Sequence, residues 1–263
     1  MITMKMKMEI NRVDYNNGNT PILYDREIDD FARDVLEDYK PNLLREPGAV
    51  RFEHFLESYL GVTLMFKDIY NPDPDKRILG AVAFRRGMLK VFDRENMRVS
   101  NSLVDANTVI IDNYVMESGR EGLAMFTGLH ESGHLLIHSQ VYGEENSENG
   151  KKILPVVYCR RDTVESFGKN RSFNNAKAWR EHQADYFASA IAMPNATFMP
   201  FVRQLMREYD VWKGQIVLGQ DDDLDILAND LLPERITEIY GVSKRAALIK
   251  LKKSGFVADK TID

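Results

Sequence analysis

Apolar positions recur along this chain with two periods, and a change of period marks a change of element. From Asp25 onward, Ile28, Phe31, Ala32, Val35 and Leu36 fall at helical spacing and make one apolar face. Phe52, Phe55, Leu56, Tyr59 and Leu60 repeat that pattern, with Gly61 as its stop. The spacing then shortens to that of strands. Residues 62–66, 81–84, 88–92 and 108–111 are short and rich in β-branched and aromatic side chains. Asn71-Pro-Asp-Pro-Asp75 reads as a turn or loop, and Arg85-Arg86-Gly87 as a hairpin turn between two strands. A sheet of three or four strands is therefore expected. Helical spacing returns over residues 121–138 and 175–193, where Pro194 ends it. A further helix is expected to start between Asn195 and Pro200, with Phe201, Val202, Leu205, Met206 and Tyr209 on one face. Residues 143–152 read as a polar turn and 160–175 as an irregular loop. Residues 153–159 read as an edge strand, because Pro155 cannot donate to a ladder. From Leu224 the tail is helical again.

This succession is that of an α+β protein. We expect a flexible leader over residues 1–20, where Asn16-Asn17-Gly18-Asn19 is turn chemistry, a main domain over 21–200 and a C-terminal helical region over 201–263. A hydrophobic share of 44% and a charged share of 29% suit a globular chain of 263 residues with a real core. The net charge of -5 lacks the global basic footprint of a nucleic-acid binder. The single cysteine, Cys159, rules out an internal disulfide. There is no apolar run suited to a signal peptide or a membrane span. Together these point to the cytoplasm, with no membrane partner.

The chemistry concentrates in two helices. The first contains Phe126-Thr-Gly-Leu-His130-Glu131-Ser-Gly-His134. Residues four apart share a helix face, so His130 and His134 can direct two imidazole nitrogens at one cation. Glu131 sits on the adjacent shoulder, displaced from the ligand position but placed to take a proton from a water activated at the metal. The bland reading is one buried and one solvated histidine. The second helix carries Glu181 and Asp185, again four apart. A carboxylate from there can be the third ligand, and an aspartate one turn on can accept the free N–H of a ligand imidazole. Its bland reading is a charged helix face. His138 lies one more turn along the first helix with no glycine to bend the chain back, so it reads as a supporting residue. Tyr158, Arg160 and His182 are candidate substrate or oxyanion contacts, and His54 is remote.

These residues resemble a known family. The run from Phe126 to His134, then Glu181-His-Gln-Ala-Asp-Tyr-Phe-Ala188, then Ile191-Ala-Met-Pro194, is similar to the ImmA/IrrE family of bacterial metallo-endopeptidases. The likeness extends over about residues 25–255 and is sharpest over 126–194. One departure is Met125, where the family often has arginine. The resemblance implies an α+β zincin-like fold with N-terminal helices, a small sheet, two metal-bearing helices and a C-terminal helical appendage. It implies one zinc ion per chain on His130, His134 and Glu181, with Glu131 as the catalytic glutamate and Asp185 as the supporting aspartate. It also implies the substrate: a helix-turn-helix transcriptional repressor, cut at a specific site to relieve repression.

The tail from Arg235 to Leu251 reads as helix, tight turn, helix, with Ser243 as an N-cap. Lys244, Arg245, Lys250, Lys252 and Lys253 give it a basic surface in sequence. DNA contact is one reading, and a hairpin packed on the core or meeting a protein is the other. The acidic run Asp221-Asp-Asp-Leu-Asp225 favours the second. The competing reading for the whole chain is a DNA- or partner-binding regulator with a structural or vestigial zinc site. An intact Glu131 argues against it, since a purely structural site needs no carboxylate there.

Overall fold

The structure, a computed structural model, describes residues 7–15, 18–73, 77–142, 147–148, 151–152, 156–160 and 175–260. Two short strands, β1 (Val13–Asp14) and β2 (Thr20–Pro21), pair antiparallel within the stretch read as a leader. Helix α1 (Asp25–Tyr39) follows. Glu27 reaches back to the Tyr24 N–H at 2.8 Å, which satisfies a donor that the helix start leaves open. Its Ile28, Ala32, Val35 and Leu36 are buried, as the spacing demands. Each large aliphatic so buried contributes about 1.5–3 kcal/mol. The second expected helix is distorted: His54–Tyr59 is a π-helical turn, ended by Gly61 at φ 67°.

The sheet differs in part from expectation. Its strands are β3 (Thr63–Lys67), β4 (Ile78–Ala83), β7 (Thr108–Asp112) and β10 (Val156–Arg160), with β5 (Gly87–Asp93) and β6 (Arg98–Val104) forming a separate antiparallel ribbon. The order in the four-stranded sheet is β10-β4-β7-β3, with β3 and β7 parallel and the other pairs antiparallel. Strand β10 is an edge, as Pro155 suggested. Arg85-Arg86-Gly87 is not the turn of a hairpin between paired strands, since β4 pairs with β7 and β10 while β5 pairs with β6. Strand β6 escapes the sequence because it alternates polar residues with exposed Val99 and Leu103. One face of the sheet joins the main core, through Val82, Val109 and Val157. The other face packs on the ribbon, through Ala81, Ile110 and Leu89.

Helix α2 (Glu121–Ile137) runs through the middle, buried from Ala124 to its end. A short turn, α3 (Ser139–Tyr142), follows it, and the two-residue strands β8 (Ser147–Glu148) and β9 (Lys151–Lys152) fall in the expected polar turn. Residues 161–174 of the expected loop lie outside the described residues. Helix α4 (Ala176–Ala192) begins where Asn175 accepts from the Ala178 N–H at 2.9 Å. Helix α5 (Asn195–Glu208) starts just past Pro194. Strand β11 (Ile216–Val217), helices α6 (Asp222–Ile226), α7 (Leu232–Tyr240) and α8 (Lys244–Lys253) and strand β12 (Val257–Ala258) complete the chain.

Between α7 and α8 lies the expected tight turn. Gly241 takes φ 67°, a left-handed conformation that glycine adopts without strain, and Ser243 Oγ accepts from Ala246 N–H at 3.2 Å. This hairpin is built into the main core: Leu232, Ile236, Tyr240, Val242 and Leu251 belong to the same apolar cluster as α1, α2 and α4. Its basic surface is smaller than the sequence suggested. Lys244 pairs with Asp230 and Glu234, Lys252 with Asp259, and Lys250 is buried. Among the described residues, no helix is long and apolar enough to cross a membrane.

Candidate metal centre

The centre lies where α2 meets α4. Glycine sets how close they come: a Cβ on Gly133 would stand 3.1 Å from Ala184 Cα. On the α2 side of that contact, His130 Nε2 and His134 Nε2 lie 3.1 Å apart. Glu181 Oε2 lies 3.5 Å from His130 Nε2, and Glu181 Oε1 lies 3.7 Å from His134 Nε2. The three side chains can hold a metal ion, with one donor atom each inside a 4.8 Å span.

Two tests support the fit. Four-coordinate zinc with bonds of about 2.0–2.1 Å puts neighbouring ligand atoms roughly 3.3 Å apart, close to the separations seen here. Next, the far side of each imidazole is anchored so that Nε2 keeps its lone pair. His130 Nδ1 lies 2.8 Å from Asp185 Oδ1, a carboxylate that can only accept. His134 Nδ1 lies 3.0 Å from His138 Nδ1, and His138 Nε2 lies 2.8 Å from Gln183 Oε1. The Gln183 amide nitrogen donates to the Pro21 carbonyl at 2.7 Å, so its oxygen is the end that faces His138. The proton on His138 is therefore on Nε2, and its Nδ1 accepts from His134 Nδ1–H. Burial holds His134 well below its ordinary pKa and pulls His138 down to about 3. Both are neutral at neutral pH, the state a ligand nitrogen requires.

Glu131 is fully buried, and neither of its carboxylate oxygens has a hydrogen-bond partner. Glu181 Oε2 is likewise without one. Buried carboxylates without partners are costly, and a cation between them relieves that cost. Burial pushes the Glu131 carboxyl up to about 8; His130 opposes the rise and Glu181 adds to it. Strand β4 presses on this side chain from the sheet. A Cβ on Gly80 would stand 2.9 Å from Glu131 Oε1 and 2.7 Å from Thr127 Cγ2. Gly80→Ala is expected to displace Glu131 and lower turnover about 10- to 100-fold, with metal content unchanged. Turnover equal to wild type in the metal-loaded variant would show that the contact is idle.

The structure thus brings His130, His134, Glu181, Glu131 and Asp185 together. It does not bring His182 or Tyr158 to them. His182 lies about 100° around the helix from Glu181, and its Nε2 is 3.0 Å from Asp25 Oδ1 on α1. Tyr158 pairs across the ladder with Ala81, so both point to the sheet face that packs on the ribbon. The side chain of Arg160 lies outside the described residues. Sequence reasoning missed Gly80 and Gln183, whose contacts lie far away along the chain. It also missed Arg180, buried between Tyr142 Oη at 2.6 Å and Thr20 Oγ1 at 2.8 Å.

Removing the Asp185 carboxylate leaves the His130 ring free to turn. Asp185→Ala is expected to weaken metal affinity or activity roughly 10- to 100-fold. Competition against a chromophoric chelator measures the first, and wild-type affinity together with wild-type activity would refute it.

No curated protein matches the chain. A family of peptidases, described as the IrrE N-terminal-like domain, matches residues 114–252, which take in α2, α4 and every donor of the metal centre. That match covers more than half of the sequence, and the chain belongs to this family.

Proposed function

We propose that the chain is a zinc-dependent endopeptidase in which His130, His134 and Glu181 hold one zinc ion and Glu131 is the general base. The observation that carries this reading is the trio of converging donors beside a buried, unpartnered Glu131. Bound there, zinc supplies Lewis-acid chemistry: it acidifies water and polarises a carbonyl oxygen. Asp185 fixes the tautomer and angle of His130, and the chain through His138 and Gln183 does the same for His134. Glu131 takes a proton from water as the oxygen attacks the scissile carbonyl carbon. It then delivers that proton to the amide nitrogen as the C–N bond breaks. Tyr158, Arg160 and His182 take no part in this proposal.

For the substrate we propose a helix-turn-helix transcriptional repressor, cut at a single site. A peptidase working in the cytoplasm must spare most proteins, and its specificity needs contact surface beyond the cleavage subsites. The α7–α8 hairpin offers such a surface without a free basic stripe, which favours a protein partner over DNA. The test is co-expression of the chain with repressors from neighbouring genes, in wild-type and Glu131→Gln forms. One discrete cleavage product, present only with wild type, is expected. Broad digestion of unrelated unfolded proteins at a comparable rate would overturn the substrate assignment.

A further inference from the structure

The β5–β6 ribbon takes no part in the proposed chemistry. It packs through Leu89 and Val104 on the sheet face turned away from α2. Strand β5 is paired on both sides: with β6 on one, and with the segment around Ile69 on the other. On that second side Tyr70 N–H donates to the Lys90 carbonyl at 3.0 Å, and Phe92 N–H donates to the Asp68 carbonyl at 2.8 Å. Lys90 and Phe92 therefore turn their backbone groups away from β6, and Leu89, Val91 and Asp93 turn theirs toward it. Their partners on β6 are Ser102, Ser100 and Arg98. The alternate residues Val99, Asn101 and Leu103 must then point N–H and C=O outward, at the free edge of the ribbon. Among the described residues, β6 pairs with β5 alone, and no backbone hydrogen bond from another segment reaches these three.

Proteins blunt such edges with charges or proline. Val99-Ser-Asn-Ser-Leu-Val104 has neither. Val99 and Leu103 are instead 44% and 51% exposed. The run Val99-Ser-Asn-Ser-Leu103 reads nearly the same in both directions, with Asn101 at its centre. The residues with outward backbone groups are placed symmetrically about that centre.

We propose that β6 pairs antiparallel with β6 of a second copy of this chain, about a two-fold axis through Asn101. In this register Val99 meets the partner's Leu103, Asn101 meets the partner's Asn101, and Leu103 meets the partner's Val99. Each pair exchanges both of its backbone hydrogen bonds, and each apolar side chain gains an apolar neighbour. Centring the pairing on Ser100 or Ser102 would instead set Asn101 against Val99 or Leu103. The absence of charge from Val99 to Val104 leaves the two copies no like-charge repulsion at the edge. A two-fold partner uses the symmetry of the run, whereas a substrate strand would not, and one added here would lie across the sheet from the metal centre. The result is an isologous dimer with both metal centres open.

Sedimentation velocity of the metal-loaded full chain tests this. Pairing of two short strands is a small interface, so a reversible monomer–dimer equilibrium with Kd on the order of tens of micromolar is expected over about 1 to 500 µM. Asn101→Pro removes the N–H at the axis without touching the ladder to β5, and is expected to weaken the dimer at least about 10-fold. Val99→Lys is expected to weaken it several-fold. Val99→Lys combined with Leu103→Glu is expected to recover it, because the register sets these two positions opposite each other across the axis. Metal content, and melting temperature in dilute solution, should match wild type in all three variants. A wild-type chain that stays monomeric throughout overturns the proposal, as does a dimer that Asn101→Pro and Val99→Lys leave at full strength. No recovery in the double variant overturns the register on which the proposal rests. A monomer in which Asn101→Pro slows repressor cleavage with metal intact would show that the edge receives substrate and not a second copy.

Discussion

Glu131→Gln is expected to keep close to one metal ion per chain while lowering peptide hydrolysis by about 10²- to 10⁴-fold, the usual contribution of a positioned general base. Metal retention follows from geometry. The donors that converge are the two Nε2 atoms and the Glu181 carboxylate, and Glu131 is not among them. The loss of rate follows from chemistry, because an amide at this position cannot accept a proton from water. Folding should survive, and metal-free stability is expected to rise slightly. Glutamine has the same shape and removes a fully buried carboxyl that burial already pushes toward its neutral form. Elemental analysis, cleavage of the repressor substrate and thermal melting of the same preparation check the three parts together. A variant that cleaves at the wild-type rate removes Glu131 from the mechanism. A variant that loses its metal makes it a ligand.

What the sequence made legible is what lies within a helical turn or two. The i,i+4 pairs His130/His134 and Glu181/Asp185 fix which side chains share a face, and the fold adds only the fact that the two faces meet. The same locality made α1, α2, α4 and the α7–α8 turn readable. Contacts between distant segments left no local trace. Gly80 looks like any glycine in an apolar strand until β4 is laid against α2 and Glu131 is found against it. Gln183 looks like a polar helix residue until Pro21 and His138 arrive on either side of it. Lys250 sits among exposed lysines in the sequence and is buried because α8 turns that face toward α5. Strand β6 has no apolar face to reveal it, since its half-buried positions are Ser100 and Ser102 while Val99 and Leu103 are exposed. The π-helical turn at His54–Tyr59 keeps the apolar pattern of an α-helix, so the pattern could not distinguish them.

Glu181→Ala should separate metal binding from folding, with a large effect on the metal-bound protein and a small one on the metal-free protein. In wild type, an ion bound to the folded state alone stabilises it by RT ln(1 + [L]/Kd), about 4 kcal/mol when the free ion is a thousandfold above Kd. A chelator is therefore expected to lower the melting temperature of wild type by many degrees. Glu181 supplies the one carboxylate among the converging donors, so its removal takes away both a ligand and a negative charge. Metal affinity is expected to fall by more than the roughly 10- to 100-fold expected for loss of a supporting residue. The variant's melting temperature should then respond little to chelator. In the metal-free protein two effects of the change oppose each other. Glu181 raises the cost of charging Glu131 beside it, and its Oε2 is buried without a hydrogen bond, so the wild-type apoprotein carries an electrostatic strain that the variant lacks. The cavity left by the shorter side chain opposes this gain. The two effects are comparable, and metal-free variant and metal-free wild type are expected to melt within a few degrees of each other. Melting curves of both proteins, with chelator and with added zinc, give the four values needed. If zinc stabilises Glu181→Ala as strongly as wild type, Glu181 is not the third ligand, and the metal centre must be completed from another residue.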